Sequence, residues 1–200
     1  MNTRLLKKSS KQKKGDSMSI LFVNACVREN SRTLVLAKNV MQNMSGEIVE
    51  VNLNLENIEP LSRELLDKRE ELIGNGMLDD AMFRYARQFA EADKIVIAAP
   101  FWDLSFPAKL KIYFEQITVS GITFKYRNGH PLGLCRAKSL TYVTTSGGPI
   151  FEDFGYTYVR ALAKGFYGID KTEAVRAENL DVDMISANEL LEKAKIITLE

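Results

Sequence analysis

The stretch KIVIAAP, at positions 94–100, restricts the fold more than any other part of the chain. Its apolar residues follow one another without polar alternation, several are β-branched, and Pro100 ends the run. A short continuous apolar run of this kind is typical of a strand that is buried on both faces. Such strands occur in parallel sheets with helices packed on each side, so the chain is expected to be an α/β protein.

Strand and helix patterns alternate along the rest of the sequence. Apolar, β-branched segments predict strands at 19–23, 46–53, 94–100, 139–148 and 171–180. Apolar residues at helical spacing predict helices at 33–44, 62–76, 79–93, 106–121, 152–168 and 181–199. Strands that alternate with helices in this way predict a five-stranded parallel sheet with helices on both faces.

Length and charge indicate one globular domain. The chain has 200 residues, of which 46% are hydrophobic and 26% charged, which is enough for one substantial core. We expect a single domain at 18–200, preceded by a disordered tail at 1–17 in which six lysine and arginine residues oppose Asp16. Such a tail could contact nucleic acid or an anionic membrane, but solvated basic ends are common and neither partner is expected.

The residues that commonly bind metals or form disulfides are sparse. Cys26, His130 and Cys135 are the only cysteine and histidine residues, and no CxxC pair is present. Neither a disulfide framework nor a metal site is therefore expected. The sequence also contains no apolar secretory segment and no run of the ~18 apolar residues that a membrane span requires. A cytoplasmic protein is the expectation.

Three segments that follow predicted strands carry the residues suited to bind a ligand. In sheets of this class, ligands bind beyond the carboxyl ends of the strands. In ACVRENSRT, Ser31 and Thr33 lie at a predicted helix N-terminus, where free N–H groups favour an anion. In PFWDLSFP, Phe101 and Trp102 suit a flat ligand. In TTSGGP, the glycines at 147–148 allow close approach of the backbone.

The combination resembles a known family. The stretch VIAAPFWDLSFPAKLKIYFEQITVSGITFKY, at 96–126, together with TTSGG, is similar to the FMN-dependent NAD(P)H:quinone oxidoreductases and azoreductases of the flavodoxin-like fold. The resemblance extends over nearly everything from Met18 onward. It implies a three-layer sandwich with strand order 2-1-3-4-5, bound FMN, and a homodimer with active sites at the interface.

The resemblance implies three sets of site residues. The phosphate-holding loop would comprise Cys26, Ser31, Arg32 and Thr33. Contacts along the flavin would come from Pro100, Phe101, Trp102, Asp103 and Leu104, and from the loop Thr145, Ser146, Gly147 and Gly148 at the pyrimidine end. The acceptor pocket would be walled by Trp102, Tyr126 and Phe166.

The resemblance also implies the reaction. Two electrons would pass as hydride from NAD(P)H to flavin N5, and then to a quinone or azo acceptor in a ping-pong cycle. No side chain would act as the catalytic group, and the backbone N–H groups of Gly147 and Gly148 would support negative charge on the reduced ring. Two positions depart from the family pattern: Asp103 stands where asparagine is usual, and Ser146 where some azoreductases have arginine. A carboxylate at 103 would disfavour that negative charge.

Other functions stay open at this point. Cys26, Arg32 and Thr33 have the spacing of cysteine-dependent phosphatases, in which a thiolate attacks phosphorus and an arginine binds the phosphoryl oxygens. Against this, the loop VRENS lacks the glycine of those enzymes, and the chain contains no Asp-Pro pair. A flavodoxin-like electron carrier, or a flavin reductase that releases reduced FMN, would use the same cofactor site.

Overall fold

The protein is a layered α/β structure in the computed structural model, which describes residues 18–182 and 186–199. The predicted tail at 1–17 lies outside the described residues. Among the described helices, none is long and apolar enough to cross a membrane.

Eight strands and six α-helices are present in the described residues. The strands are β1 (Ser19–Asn24), β2 (Glu47–Asn52), β3 (Lys94–Ala98), β4 (Phe124–Arg127), β5 (His130–Gly133), β6 (Ser139–Thr145), β7 (Lys171–Ala177) and β8 (Lys195–Ile197). The helices are α1 (Arg32–Gln42), α2 (Arg63–Gly74), α3 (Arg84–Glu91), α4 (Ala108–Ile117), α5 (Phe154–Leu162) and α6 (Ala187–Glu192). A 3-10 turn (Ala81–Phe83) precedes α3, and a π-helical turn (Ala163–Tyr167) follows α5.

The main sheet has six strands in the order β2-β1-β3-β6-β7-β8. The first five are parallel, and their order confirms the predicted 2-1-3-4-5 arrangement. The predicted count of five strands is wrong, because β8 pairs antiparallel with β7. The predicted helix at 181–199 is correspondingly shorter: α6 ends at Glu192, and Lys195–Ile197 instead satisfies the backbone groups at the edge of β7.

Strand β3 lies in the middle of the sheet and is buried on both faces, as its sequence predicted. Ile95 and Ile97 belong to a core that includes residues of α2, α3, α4 and α5. Val96 and Ala98 belong to a second core that includes residues of α1 and α6. The alternation along β3 therefore divides the helices between two layers, with the sheet between them.

A separate hairpin of β4 and β5 precedes β6. Its two-residue turn consists of Asn128 and Gly129, with φ of +53° and +80°. Asn-Gly is the preferred pair for the type I′ turn that joins two antiparallel strands, because both central residues adopt positive φ. The hairpin packs against the π-helical turn after α5, where the Cys135 N–H donates to the Tyr167 carbonyl at 3.3 Å.

Candidate functional site

A cleft of about 710 Å³ opens at the carboxyl edge of the parallel strands. Its volume lies within the range of small-molecule and cofactor sites. Nine of the predicted site residues line it: Ser31, Arg32, Thr33, Pro100, Phe101, Trp102, Thr145, Ser146 and Gly147. Residues from the ends of β1, β3 and β6 are therefore brought together in one cleft, as the sheet topology predicts.

The N-terminus of α1 forms one end of this cleft. Ser31 is the N-cap, and its Oγ accepts a hydrogen bond from the Leu34 N–H at 3.3 Å. The N–H groups of a helix's first turn have no carbonyl partner within the helix, so they point partial positive charge into the cleft. Thr33 is buried, and its hydroxyl is 2.6 Å from that of Thr145. This bond joins the first turn of α1 to the carboxyl end of β6.

Arg32 spans the cleft from α1 to the loop after β7. Its Nη1 donates to the Leu180 carbonyl at 3.0 Å and to Asp181 Oδ1 at 2.6 Å. The two charged side chains are 44% and 65% exposed, so water and salt weaken the pair. The guanidinium lines the cleft but already has an acidic partner there.

The aromatic segment after β3 forms a tight turn. Trp102 and Ser105 exchange two backbone hydrogen bonds, of 3.1 Å and 2.8 Å. The two residues between them, Asp103 and Leu104, have φ of +50° and +65°. A leucine in the left-handed region costs conformational free energy, which the surrounding contacts must offset. Phe101 and Trp102 are thereby held at the cleft, whereas Asp103 and Leu104 are exposed and do not line it.

The glycine loop, residues 145–148, is bound by backbone hydrogen bonds to the segment after β7. The Ser146 N–H donates to the Ala177 carbonyl at 3.0 Å, and the Asp181 N–H donates to the Gly147 carbonyl at 3.0 Å. A Cβ on Gly147 would lie 2.3 Å from Asp181 Oδ2, so a side chain at 147 would have to displace that carboxylate. Gly147 lines the cleft, and Gly148 does not.

Cys26 lies beneath the cleft and not in its wall. It is 5% exposed and belongs to the core on the α1 side of the sheet. Its Sγ is 3.9 Å from the Ala98 carbonyl oxygen. The pKa of the Cys26 thiol is raised to about 11, chiefly by burial and also by the Glu50 carboxylate, against the opposing effect of the Ser31 hydroxyl. The thiol is therefore un-ionised at neutral pH.

Tyr126 and Phe166 are brought together, but away from the cleft. Both rings pack edge-on against Phe124, with centroid separations of 5.4 Å and 5.2 Å. Tyr126 is 63% exposed on the hairpin. Neither residue lines the cleft within the chain, so a shared pocket would require a second copy to bring this surface to it.

Six lining residues were not predicted: Val27, Arg28, Glu29, Asn30, Leu180 and Asp181. The first four belong to the loop that the sequence already indicated. Leu180 and Asp181 follow β7, the fifth parallel strand, whose carboxyl end lies at the same edge as the others. Applying the strand-end rule to that strand as well would have identified them.

Comparison with known proteins agrees with this geometry. The profile of a family described as having a flavodoxin-like fold matches residues 18–198. An FMN-dependent NADH:quinone oxidoreductase of Coprothermobacter proteolyticus is 37% identical over 176 residues, which cover 82% of this chain and 87% of the relative.

Two solved azoreductases of Bacillus anthracis are similar in structure. One has a TM-score of 0.73 at 27% identity, covering 88% of this chain and 94% of its own. The other, an FMN-dependent NADH-azoreductase in complex with FMN, has a TM-score of 0.66 at 25% identity, covering 88% and 93%.

The fold and the strand-end cleft thus define a flavodoxin-like protein. The chain belongs to the family of the flavodoxin-like fold, and the predicted resemblance is confirmed.

The donor set of the cleft fits a flavin mononucleotide. The α1 N-terminus, with Ser31 and Arg32, can hold a phosphate group. Phe101 and Trp102 offer apolar surface to a flat ring, and Gly147 contributes to the lining of the same cleft. Among the described residues, no cluster of histidine, cysteine and acidic side chains is arranged to hold a metal ion.

Proposed function

We propose that this protein is an FMN-dependent NAD(P)H oxidoreductase that reduces a quinone or azo acceptor. The observation that carries the proposal is the cleft itself, in which a helix N-terminus, an aromatic turn and a glycine loop meet at one sheet edge. The names of the relatives agree: one is an FMN-dependent NADH:quinone oxidoreductase and the others are azoreductases. FMN, when bound, supplies the redox chemistry by accepting two electrons from NAD(P)H and passing them to the acceptor.

The residues of the chain have binding and positioning roles in this proposal. The first-turn N–H groups of α1 and the Ser31 and Thr33 hydroxyls hold the phosphate. Phe101 and Trp102 lie along the ring, and the carboxylate of Asp103 stays in solvent, where screening limits its influence on the ring's charge. The backbone N–H of Gly147, which lines the cleft, favours negative charge on the reduced ring, by the logic of an oxyanion hole. Gly148 was predicted to share this role, but it lies outside the cleft lining and would act only through the position of the loop.

The phosphatase alternative is disfavoured by two observations. The Cys26 thiol is buried outside the cleft wall, with its pKa raised to about 11, so roughly one thiol in ten thousand would be ionised at pH 7. Arg32 is paired with Asp181, so its guanidinium is not free to bind a transferring phosphoryl group, whereas the N–H groups of the α1 N-terminus can hold a cofactor phosphate without it. A nucleophilic cysteine needs the opposite environment, exposed and electropositive.

The same proposal includes a cytoplasmic homodimer with two active sites at its interface. Tyr126, Phe151 and Phe154 are 63%, 84% and 57% exposed, which is unusual for large aromatic side chains. Aromatic residues are enriched in protein interfaces. In the dimer, Tyr126 and Phe166 of one copy would wall the acceptor pocket beside Trp102 of the other.

The test is a flavin titration under anaerobic conditions. Apoprotein mixed with FMN should retain the flavin through gel filtration. The flavin should also stay with the protein on a second, anaerobic column after reduction, which separates this function from a reductase that releases reduced FMN. NADH and NADPH, added separately, should bleach the flavin absorbance with at least one donor, and a quinone should restore it. Protein that retains no FMN would overturn the proposal, and flavin that neither donor bleaches would favour an electron carrier.

A further inference from the structure

We propose that an ion-paired cluster of Asp153, Arg176 and Glu178 positions the two loops that hold the flavin. We call these three residues the Arg176 cluster. None of them lines the cleft. The effect of the Arg176 cluster on FMN rests on the proposed function. Its effect on the two loops rests on ion pairs and hydrogen bonds within the chain.

The cluster joins one guanidinium to two carboxylates. Arg176 Nε is 2.8 Å from Glu178 Oε1, and Arg176 Nη1 is 3.8 Å from Asp153 Oδ2. The three side chains are only 17% to 22% exposed. Water and salt screen charges at this depth less than they screen charges on the surface. Arg176 is therefore needed to offset the repulsion between the carboxylates of Asp153 and Glu178.

Each carboxylate also accepts a backbone hydrogen bond from the segment that follows the glycine loop. Glu178 Oε2 accepts a hydrogen bond from the Ile150 N–H at 2.8 Å, two residues after Gly148. Asp153 Oδ1 accepts from the Tyr156 N–H at 2.8 Å and so caps α5. The segment that continues from the glycine loop into α5 is thus bound at two points to the end of β7.

The start of α5 transmits this restraint to the aromatic turn. The Phe154 N–H donates to the Leu104 carbonyl at 3.0 Å. A Cβ on Gly155 would lie 3.5 Å from the carbonyl carbon of Ser105, so the first turn of α5 runs beside the aromatic turn. Moving Asp153 would therefore move the 102–105 turn as well as the glycine loop.

The experiment compares Arg176→Met with Arg176→Lys and a matched control. Arg136→Met removes another arginine–carboxylate pair, with Asp93 at 3.0 Å, among residues that do not line the cleft. In R176M, we expect reduced FMN to lose about tenfold more affinity than oxidised FMN, because the displaced Gly147 N–H matters most to the charged ring. That ratio lowers the two-electron potential by about 30 mV. R176K should recover part of the shift, and R136M should show none.

Glu178→Ala provides a second variant, which removes the acceptor of the Ile150 N–H and so releases the loop even if R176M does not fold. It should lower the potential, whereas the loss of a negative charge alone would raise it. Hydrogen exchange of peptides covering 146–158 in flavin-free protein should rise in R176M and not in R136M. An unchanged potential and unchanged exchange in a folded variant would overturn the inference. A parent protein that binds no FMN would overturn the proposed function, while the exchange result would still report on the cluster.

Discussion

Two residues of the first loop, Cys26 and Arg32, show how position in the fold decides the chemistry of a motif. Their spacing is that of a phosphatase loop, but the chain turns between them. Cys26 faces the core behind α1, whereas Arg32 begins α1 and reaches across the cleft. Burial raises the pKa of the Cys26 thiol, and the Arg32 guanidinium forms an ion pair with Asp181.

Cys26→Ser should therefore leave quinone reduction nearly intact. We expect kcat/KM to change by less than about fivefold, equivalent to roughly 1 kcal/mol of transition-state binding. The pKa of the thiol is raised to about 11, so the thiol stays protonated from about pH 6 to about pH 9. Its ionisation should therefore cause no rise or fall of kcat/KM over that interval. Steady-state kinetics of the parent and variant across that interval check this. Loss of activity with flavin still bound would restore a chemical role to the thiol.

Asp181→Asn should tighten FMN binding. The carboxylate lines the cleft and engages Arg32 at 2.6 Å, so it both repels a phosphate and competes for the guanidinium. Removing one charge at an exposed site is worth about 1 kcal/mol, or about fivefold in Kd. Fluorescence titration at low and high salt measures the effect, which should shrink as salt rises. The control is Asp67→Asn, which removes the exposed partner of Arg63 on α2. Weaker binding in D181N would mean that Asp181 orients Arg32 for the phosphate.

At the scale of elements, the sequence predicts the long buried strands and amphipathic helices but not the short edge structures. The run at 94–100 identifies β3 because both of its faces are buried. Residues 195–197 follow a helix-forming stretch, and only the open edge of β7 makes them a strand. The β4–β5 hairpin went unpredicted although Asn128-Gly129 is a direct signal for it.

The contact between that hairpin and the turn after α5 depends on two glycines. A Cβ on Gly133 would lie 2.2 Å from the Gly168 nitrogen, which is backbone and can yield only by moving the turn. Gly133→Ala should therefore destabilise the fold by about 2–3 kcal/mol, or roughly 4–12 °C in Tm. Gly74→Ala, at the end of α2 with no atom within 4 Å of the added Cβ, is the control and should be neutral or slightly stabilising. Equal thermal unfolding of the two variants would contradict this account.

At the scale of the whole molecule, the cleft gathers residues from four strands that are far apart in the chain. The ends of β1, β3 and β6 could be predicted to meet because a parallel sheet places its carboxyl ends together. The pairing of Arg32 with Asp181 could not be predicted, because it depends on the conformation of loops that no local sequence pattern specifies. The proposed acceptor pocket could not be located from local patterns either. Tyr126 and Phe166 pack together on Phe124, and neither lines the cleft of the same chain.

The proposed dimer makes a prediction that separates cofactor binding from turnover. Tyr126→Glu places a charge on an exposed aromatic surface that the interface would bury, so the variant should sediment as a monomer while the parent sediments at twice the mass of one chain. FMN should still bind, because the phosphate loop, aromatic turn and glycine loop belong to one chain. Quinone reduction should fall at least tenfold, which corresponds to about 1.4 kcal/mol, because the partner's wall is lost. Ile48→Glu, at a 47% exposed position near the amino end of edge strand β2, is the matched control and should change neither mass nor rate. A Y126E variant that remains dimeric would contradict the placement of Tyr126 in the interface, and a monomer with full activity would place the acceptor pocket within a single chain.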